Sequence, residues 1–207
     1  MTQLMSQSDD ELLRLLVAGE EQAFTQLYRR HQGALYRFAL LMSGSPMIAE
    51  DVTQEAFLVL LREAQRYDPA RGTLAAYLYG IARNFVLRRL ERDRSFVPLG
   101  EEGDEGELNA LAALTAQDDP FRDCTRQEVI QLMRQMVLAL PPRYREAVVL
   151  CDFQELSYAD AAAALGCAVG TVSSRLHRGH ALLLERLRAR GKVDPATPDT
   201  DLLRCFT

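Results

Sequence analysis

Hydrophobic residues recur at helical spacing along most of the chain. Ser8 and Glu11 form a capping-box pair ahead of Leu12, Leu13, Leu15 and Leu16, which predicts a first helix from Ser8 to near Gly19. Phe24, Leu27, Tyr28, Leu35, Phe38 and Leu41 predict a second over about 21–42, broken by Ser43-Gly44-Ser45-Pro46. Val52, Ala56, Leu60 and Ala64 predict a third over about 47–66. After the turn Asp68-Pro69-Ala70-Arg71-Gly72, the series Leu74, Leu78, Ile81, Phe85 and Leu90 predicts a fourth over about 73–94. Four helices of this length can close a small core.

The pattern changes over residues 95–125, where acids, glycines and small residues dominate. Residues 107–116 have the makings of a weak helix, and the rest reads as a tether. Helical periodicity returns near Thr125 and runs to about 190. Pro141-Pro142 starts a helix whose apolar face is Tyr144, Ala147, Val148 and Leu150. Ser157 and Asp160 cap a short helix ending at Leu165, and Gly166 allows the left-handed backbone of a tight turn. The next helix is expected to start near Thr171, acting as its N-cap, with Val172 and Leu176 meeting Ala162 and Leu165. Alanines at 161–164 permit close crossing, which is helix-turn-helix logic. The expected fold is all-α, with helical domains at 1–94 and 126–190, an acidic linker at 95–125 and a tail at 191–207. The tail reads as an ordinary fraying terminus; the alternative is that Leu202, Leu203 and Phe206 fold back onto a domain.

Composition supports this picture. The 207 residues are 48% hydrophobic and 26% charged, a globular balance, and tryptophan is absent while strong helix formers abound. The net charge of -5 argues against a sequence-independent nucleic-acid binder. The charge is unevenly spread, however. Residues 66–94 hold seven arginines against Asp68, Glu91 and Asp93; residues 100–123 hold eight acids against Arg122; residues 172–190 hold five arginines against Glu185. Two basic blocks flanking an acidic one leave room for two separate nucleic-acid contacts.

Other chemistry is poorly supported. Cys124, Cys151, Cys167 and Cys205 form no C-x-x-C pair, and His31, His177 and His180 complete no zinc pattern. His177 and His180 read as polar helix residues, and Cys151 as a core cysteine. No Walker A sequence and no nucleophile–base set appear, so neither an enzyme nor a cofactor is expected. The opening stretch is acidic rather than basic and then apolar, and no run reaches the length of a membrane span. A cytoplasmic protein without membrane insertion is expected.

Three helices carry candidate sites. The second helix of the helix-turn-helix presents Thr171, Ser173, Ser174, Arg175 and Arg178 away from its apolar stripe, short hydroxyls and arginines suited to phosphates and major-groove base edges. An ordinary helix pair with solvated arginines is the alternative; the short polar positions and the glycine turn favour the DNA reader. The helix 74–93 interleaves Tyr77, Arg83, Asn84, Arg88, Arg89 and Arg92 with apolar residues, offering phosphate neutralisation, stacking on unpaired bases and an amide for a base edge. A core helix with a charged back, Tyr77 and Tyr79 included in the core, fits that pattern equally. The helix 49–61 sets Glu50, Asp51, Gln54 and Glu55 beside Phe57, Leu58 and Leu61, a protein-docking face or a plain soluble helix back. An autonomous dimeric DNA-binding regulator and a pure interaction protein remain rivals; the second basic-aromatic helix speaks against the first.

The segments LYRRHQGALYRFAL (27–40), AEDVTQEAFLVLL (49–61), LAAYLYGIARNFVLRRL (74–90), ALPPRYREAVVL (139–150), LSYADAAAALG (156–166) and VGTVSSRLHRG (169–179) together resemble the bacterial sigma factors of the extracytoplasmic-function group. That resemblance implies a sigma factor that binds core RNA polymerase and directs initiation at promoters. It implies that Asp51, Gln54, Glu55, Phe57 and Leu58 dock on the clamp helices of the largest polymerase subunit. Arg71, Tyr77 and Asn84 would then serve the melted -10 element, with Arg88, Arg89 and Arg92 on its backbone. Thr171, Ser173, Ser174, Arg175 and Arg178 would read the -35 element, and the second domain would sit on the polymerase flap. An anti-sigma factor is a common partner in the family. Two departures are Tyr77, where the family often has Trp, and Ala76, where it often has a basic residue.

The acidic linker is expected to keep the free protein off nonspecific DNA, since like charges repel phosphates. Neutralising Glu101, Glu102, Asp104 and Glu105 should raise nonspecific DNA binding at low salt in a filter-binding assay; unchanged binding removes that role.

Overall fold

In the computed structural model, residues 7–95 and 126–189 are described, with side chains placed over 7–92 and 130–189. Helix α1 spans Asp9–Val17, and Ser8 caps it reciprocally. The Glu11 amide donates to Ser8 Oγ at 3.3 Å, and the Ser8 amide donates to Glu11 Oε2 at 2.9 Å. Helix α2 spans Glu21–Ser43 and ends on Gly44 at φ 73, a left-handed position that glycine takes without strain. Ser45 caps α3, Pro46–Glu63, with Pro46 at its first position. Two short 3-10 turns, Ala64–Arg66 and Pro69–Arg71, replace the end of the third helix expected to reach 66 and lead into α4, Leu74–Ser95.

The C-terminal domain follows. Helix α5 is Arg126–Leu138, and α6 is Pro142–Val148, running on as a π turn over Val149–Phe153. Helix α7, Tyr158–Leu165, is capped by Ser157 and closed by Gly166 at φ 63. Helix α8 is Val169–Ala189. The expected weak helix at 107–116, the rest of the linker and the tail lie outside the described residues.

The N-terminal core centres on Leu12, Leu27, Phe38, Met42, Leu60 and Leu78, all fully enclosed. Phe38 meets Tyr79 edge-on at 5.2 Å, and Phe57 packs against Phe24 and Tyr28 at 6.1 and 4.7 Å. The C-terminal domain has a smaller core of Met136, Leu140, Ala147, Val148, Leu176, Leu183 and Leu187. The other apolar side of that domain joins the N-terminal core: Val149, Leu150, Ala161, Ala164 and Leu165 belong to the same cluster as Phe38 and Leu78. The two helical domains are therefore packed together rather than merely tethered.

Small residues make this contact close. A Cβ built on Gly80 of α4 would lie 3.2 Å from the carbonyl oxygen of Ala164. The alanines of α7 thus serve two partners, α8 within their domain and α4 outside it. Helix α1 buries Leu12 and Leu13 in the N-terminal core and is also tied to α2 by an ion-pair contact. Asp9 pairs with Arg30 at 2.9 Å and His31 at 2.6 Å, both on α2.

The bond to His31 is the main reason that the Asp9 carboxyl is held below its ordinary 3.8; burial pushes the other way, and Arg30 adds to the lowering. A depressed carboxylate stabilises the fold above 3.8, and the gain vanishes as pH falls through the lower folded-state value. In thermal melts run from neutral to acid pH, Asp9→Asn should lower the melting temperature at neutral pH, and its curve should converge with the parent's in acid below 3.8.

Candidate nucleic-acid interface

Helix α8 is positioned by the tight turn at Gly166 and by a buried stripe of Val172, Leu176, Gly179, Leu183 and Leu187. Gly179 sets the crossing with α6. A Cβ there would fall 2.6 Å from Val148 Cγ2, so only glycine allows this approach. The face opposite the stripe is exposed and carries Ser173, Ser174, His177 and Arg178, with Thr171 and Arg175 half-buried on its flank. The five residues expected for DNA reading on this helix thus share one accessible side.

Three details differ from expectation. The helix starts at Val169, two residues earlier than predicted, because the Ala168 carbonyl already accepts from the Thr171 and Val172 amides at 2.9 and 3.3 Å. Thr171 is therefore inside the first turn and is not the N-cap. Ser174 Oγ donates to the Thr171 carbonyl at 3.0 Å, a local bond that fixes its rotamer while its oxygen can still accept. His177, read from the sequence as a polar helix residue, joins the exposed face; its spacing of four from Ser173 was the available signal for placing it there. His180 is instead paired with Asp152 at 2.7 Å. Among the described residues no cluster of His, Cys, Asp and Glu suits a metal. Burial pushes the Cys151 thiol up to about 11, with Asp152 adding, so it stays protonated as a core cysteine should.

Helix α4 carries the second face. Asn84, Arg88 and Arg92 are exposed and four residues apart, with Tyr77 two turns earlier on the same side. The Tyr77 ring stands edge-on to Tyr67 at 5.7 Å, half-buried and braced from one side. Burial, together with Glu63, raises the Tyr77 phenol above its ordinary 10.0, so it stays protonated at neutral pH. Tyr79 is a core residue. Arg71 ends the second 3-10 turn and is exposed. Arg89 turns away from this face to pair with Asp51 of α3 at 3.1 Å, which joins one residue expected on DNA to one expected on polymerase. Arg83 also turns away, donating through Nε to Glu146 at 2.8 Å. Ala76 is 1% exposed, within the packed cluster; a long basic side chain has no room there.

Helix α3 shows a third surface. Gln54 and Leu58 are exposed, Asp51 and Glu55 are half-buried, and Met47 and Leu61 extend the apolar strip. Phe57 is a correction to the expected docking set. At 3% exposure it belongs to the aromatic cluster with Phe24 and Tyr28, because one helical step from Leu58 turns its side chain onto the core.

Known proteins share the sequence pattern and the fold. Residues 27–96 match the family Sigma-70 region 2, and residues 130–183 match Sigma-70, region 4. The chain is 37% identical over 173 residues to the ECF RNA polymerase sigma factor SigE of Mycolicibacterium smegmatis, across 80% of this chain and 62% of that one. It is 37% identical over 182 residues to the ECF RNA polymerase sigma factor SigM of Mycobacterium tuberculosis, across 87% of this chain and 85% of that one. Among solved structures, CnrH in complex with the cytosolic domain of CnrY matches with a TM-score of 0.65 and 26% identity, covering 88% of this chain and 99% of that one. The sigma factor RpoE in complex with the anti-sigma factor NepR from Bartonella quintana matches with a TM-score of 0.60 and 25% identity, over 80% and 96%.

The positions of Phe57 and Leu58 predict opposite outcomes in chemical denaturation. Phe57→Ala should lose about 3–5 kcal/mol of stability, as buried aromatics do. Leu58→Ala should stay within about 0.5 kcal/mol of the parent.

Proposed function

As this chain belongs to the extracytoplasmic-function sigma factors, we propose that it binds core RNA polymerase and directs promoter-specific initiation through three separate surfaces. Asp51, Gln54, Glu55 and Leu58 on the outer side of α3 form the polymerase-docking face, with Phe57 as the core support beneath it. Tyr77 and Asn84 on α4 capture the unpaired -10 strand, and Arg71, Arg88 and Arg92 hold its backbone. Arg89 supports this face from its bond to Asp51. Thr171, Ser173, Ser174, Arg175 and Arg178 on α8 read the -35 duplex in the major groove. The domains are taken as 1–94 and 126–190, with 95–125 as the linker. The polymerase supplies the chemistry of RNA synthesis, and this chain supplies DNA choice.

The observation that carries this reading is one exposed arginine-bearing face on each domain: Asn84, Arg88 and Arg92 on α4, and Ser173, Ser174 and Arg178 on α8. Either face alone binds weakly. Held at one promoter by a common platform, the second contact forms at a high effective concentration. Strand opening follows from trapping unpaired bases, for which a braced, neutral Tyr77 ring is suited. Tyrosine offers a smaller stacking face than tryptophan, so opening should be weaker than with a tryptophan there. The neighbours CnrH and RpoE were each solved with a partner, RpoE's being an anti-sigma factor. By analogy, an anti-sigma factor is proposed as the regulator of this chain as well.

Run-off transcription with purified core polymerase on a promoter library tests the function. Arg175→Ala with Arg178→Ala should abolish preference within the -35 element, at about 1–3 kcal/mol per lost base contact. Tyr77→Ala with Asn84→Ala should retain -35 preference and lose permanganate reactivity of the opened -10 strand. Unchanged promoter choice in both double variants would refute the assignment.

A further inference from the structure

Helix α8 carries two histidines, and the fold treats them in opposite ways. The His180 ring meets Asp152 of the π turn at 2.7 Å, so its charge is answered inside the domain. His177 is exposed and has no hydrogen bond or ion pair among the described residues. The charged groups on the elements around α8 are engaged elsewhere or are cations. Asp152 holds His180, Glu146 of α6 holds Arg83, and Asp160 of α7 accepts from Thr73 and Ser157. Arg145 of α6 is turned onto main-chain carbonyls, while Arg134 of α5 and Arg143 of α6 are exposed. The Tyr144 phenol of α6 and the Cys151 thiol of the π turn are half-buried, and Tyr158 of α7 and Glu155 in the loop ahead of it are exposed. On α8 itself stand Arg175, Arg178 and Glu185. None of these reaches the His177 ring with a hydrogen bond or ion pair.

Position on the helix is the second consideration. Successive residues turn by about 100°. Ser174 and Arg178 lie along the outward midline, opposite the buried stripe of Val172, Leu176 and Leu183. His177 and Arg175 fall about 80° to either side of that midline. A helix with its side chains is about 10–12 Å across, and the major groove is about 12 Å wide. A helix seated there turns its midline to the base edges and its two flanks to the two phosphate walls. Base edges carry the sequence, and phosphates fix the position.

We propose that His177 is a proton-dependent phosphate clamp on the -35 duplex: Arg175 grips one wall of the groove at every pH, and His177 grips the other only as an imidazolium. This rests on the promoter reading above and adds to it a contact that titrates. Arginine keeps its charge throughout, whereas histidine changes charge between about pH 5 and 8. A neighbouring phosphate favours the charged ring, so docking takes up a proton. By linkage, the affinity that this contact contributes is present in acid and is lost as pH rises. The gain applies to every -35 sequence alike, because the clamp touches no base. His180 cannot take over the task, since Asp152 holds its ring.

The salt dependence of binding counts phosphate contacts, each adding about 0.9 to the log–log slope on duplex DNA. Holoenzyme assembled from core polymerase and the full chain is titrated with a promoter duplex over a range of salt, at about pH 6 and about pH 8. The parent slope should be steeper in acid by about 0.9, over and above any change shown by His177→Gln. His177→Gln should bind about fivefold more weakly than the parent in acid and match it at the higher pH. His177→Arg should keep the steeper slope at both. Because His177 is exposed and shares no bond, neither substitution disturbs the fold. Equal changes of slope in the parent and His177→Gln overturn the clamp. So does an acid gain that His177→Gln removes without altering the slope, which would put the ring on a base acceptor. Holoenzyme indifferent to the -35 element at both pH values sinks the promoter reading itself; dependence on that element with a pH-independent slope removes the histidine alone.

Discussion

An α-helix has only 3.6 residues per turn, and α4 divides its circumference among three neighbours. Leu74, Leu78, Ala82 and Val86 enter the N-terminal core. Gly80 and Arg83, with Thr73 just ahead of the helix, meet the C-terminal domain. Asn84, Arg88 and Arg92 face outward, with Tyr77 half-buried on the same side, the face proposed for DNA. Most of the described turns of the helix are taken up by one of these three contacts. Helices α2 and α3 hold its apolar side, α7 lies against its glycine, and α1 is drawn in through the Tyr67 ring beside Tyr77. The Tyr67 hydroxyl sits between Asp10 of α1 and the Gly72 carbonyl, at 3.0 and 3.1 Å.

The arginines show how structure sorts what composition only counts. Arg30, Arg83, Arg89 and Arg145 are each engaged inside the molecule, by Asp9, Glu146, Asp51 and main-chain carbonyls respectively. Arg88, Arg92 and Arg178 are exposed, with no ion pair found for them among the described residues. Cations spent on holding the fold do not repel one another at the candidate faces, where Arg88, Arg92 and Arg178 stay outward; other arginines, Arg29, Arg62 and Arg143 among them, are exposed on other elements. The chain can therefore be acidic overall and still present two local positive surfaces.

Local chemistry was legible in the sequence wherever cause and effect lie within one turn. Ser8 with Glu11, Gly44 before Ser45-Pro46, and Ser157 ahead of Gly166 each mark a boundary through a bond or backbone state a few residues long. The helix-turn-helix was legible for the same reason. The seam between the domains was not, because its bonds join residues 63, 75 and 87 positions apart, and such separations leave no period in the chain. Alanines at 161–164 signalled close packing without naming the partner. Phe57 was misplaced because an apolar residue next to polar ones on a helix belongs to either side until its neighbours are known. Arg89 carries the same ambiguity: its charge is visible in the sequence, but the Asp51 that holds it lies on another helix.

The π turn at Val149–Phe153 puts an extra residue into a helical ladder, with the Gln154 amide reaching back to the Val149 carbonyl at 3.1 Å. Val149 and Leu150 face the N-terminal core, Asp152 faces His180 inside its own domain, and Gln154 faces Tyr79 across the seam. The π turn and the Gln154 that caps it, six consecutive residues, thus set the register of a domain's interior and of its border with its neighbour. Neither can drift on its own over generations, so a lineage that lost the bulge by a one-residue deletion would have to rebuild both together.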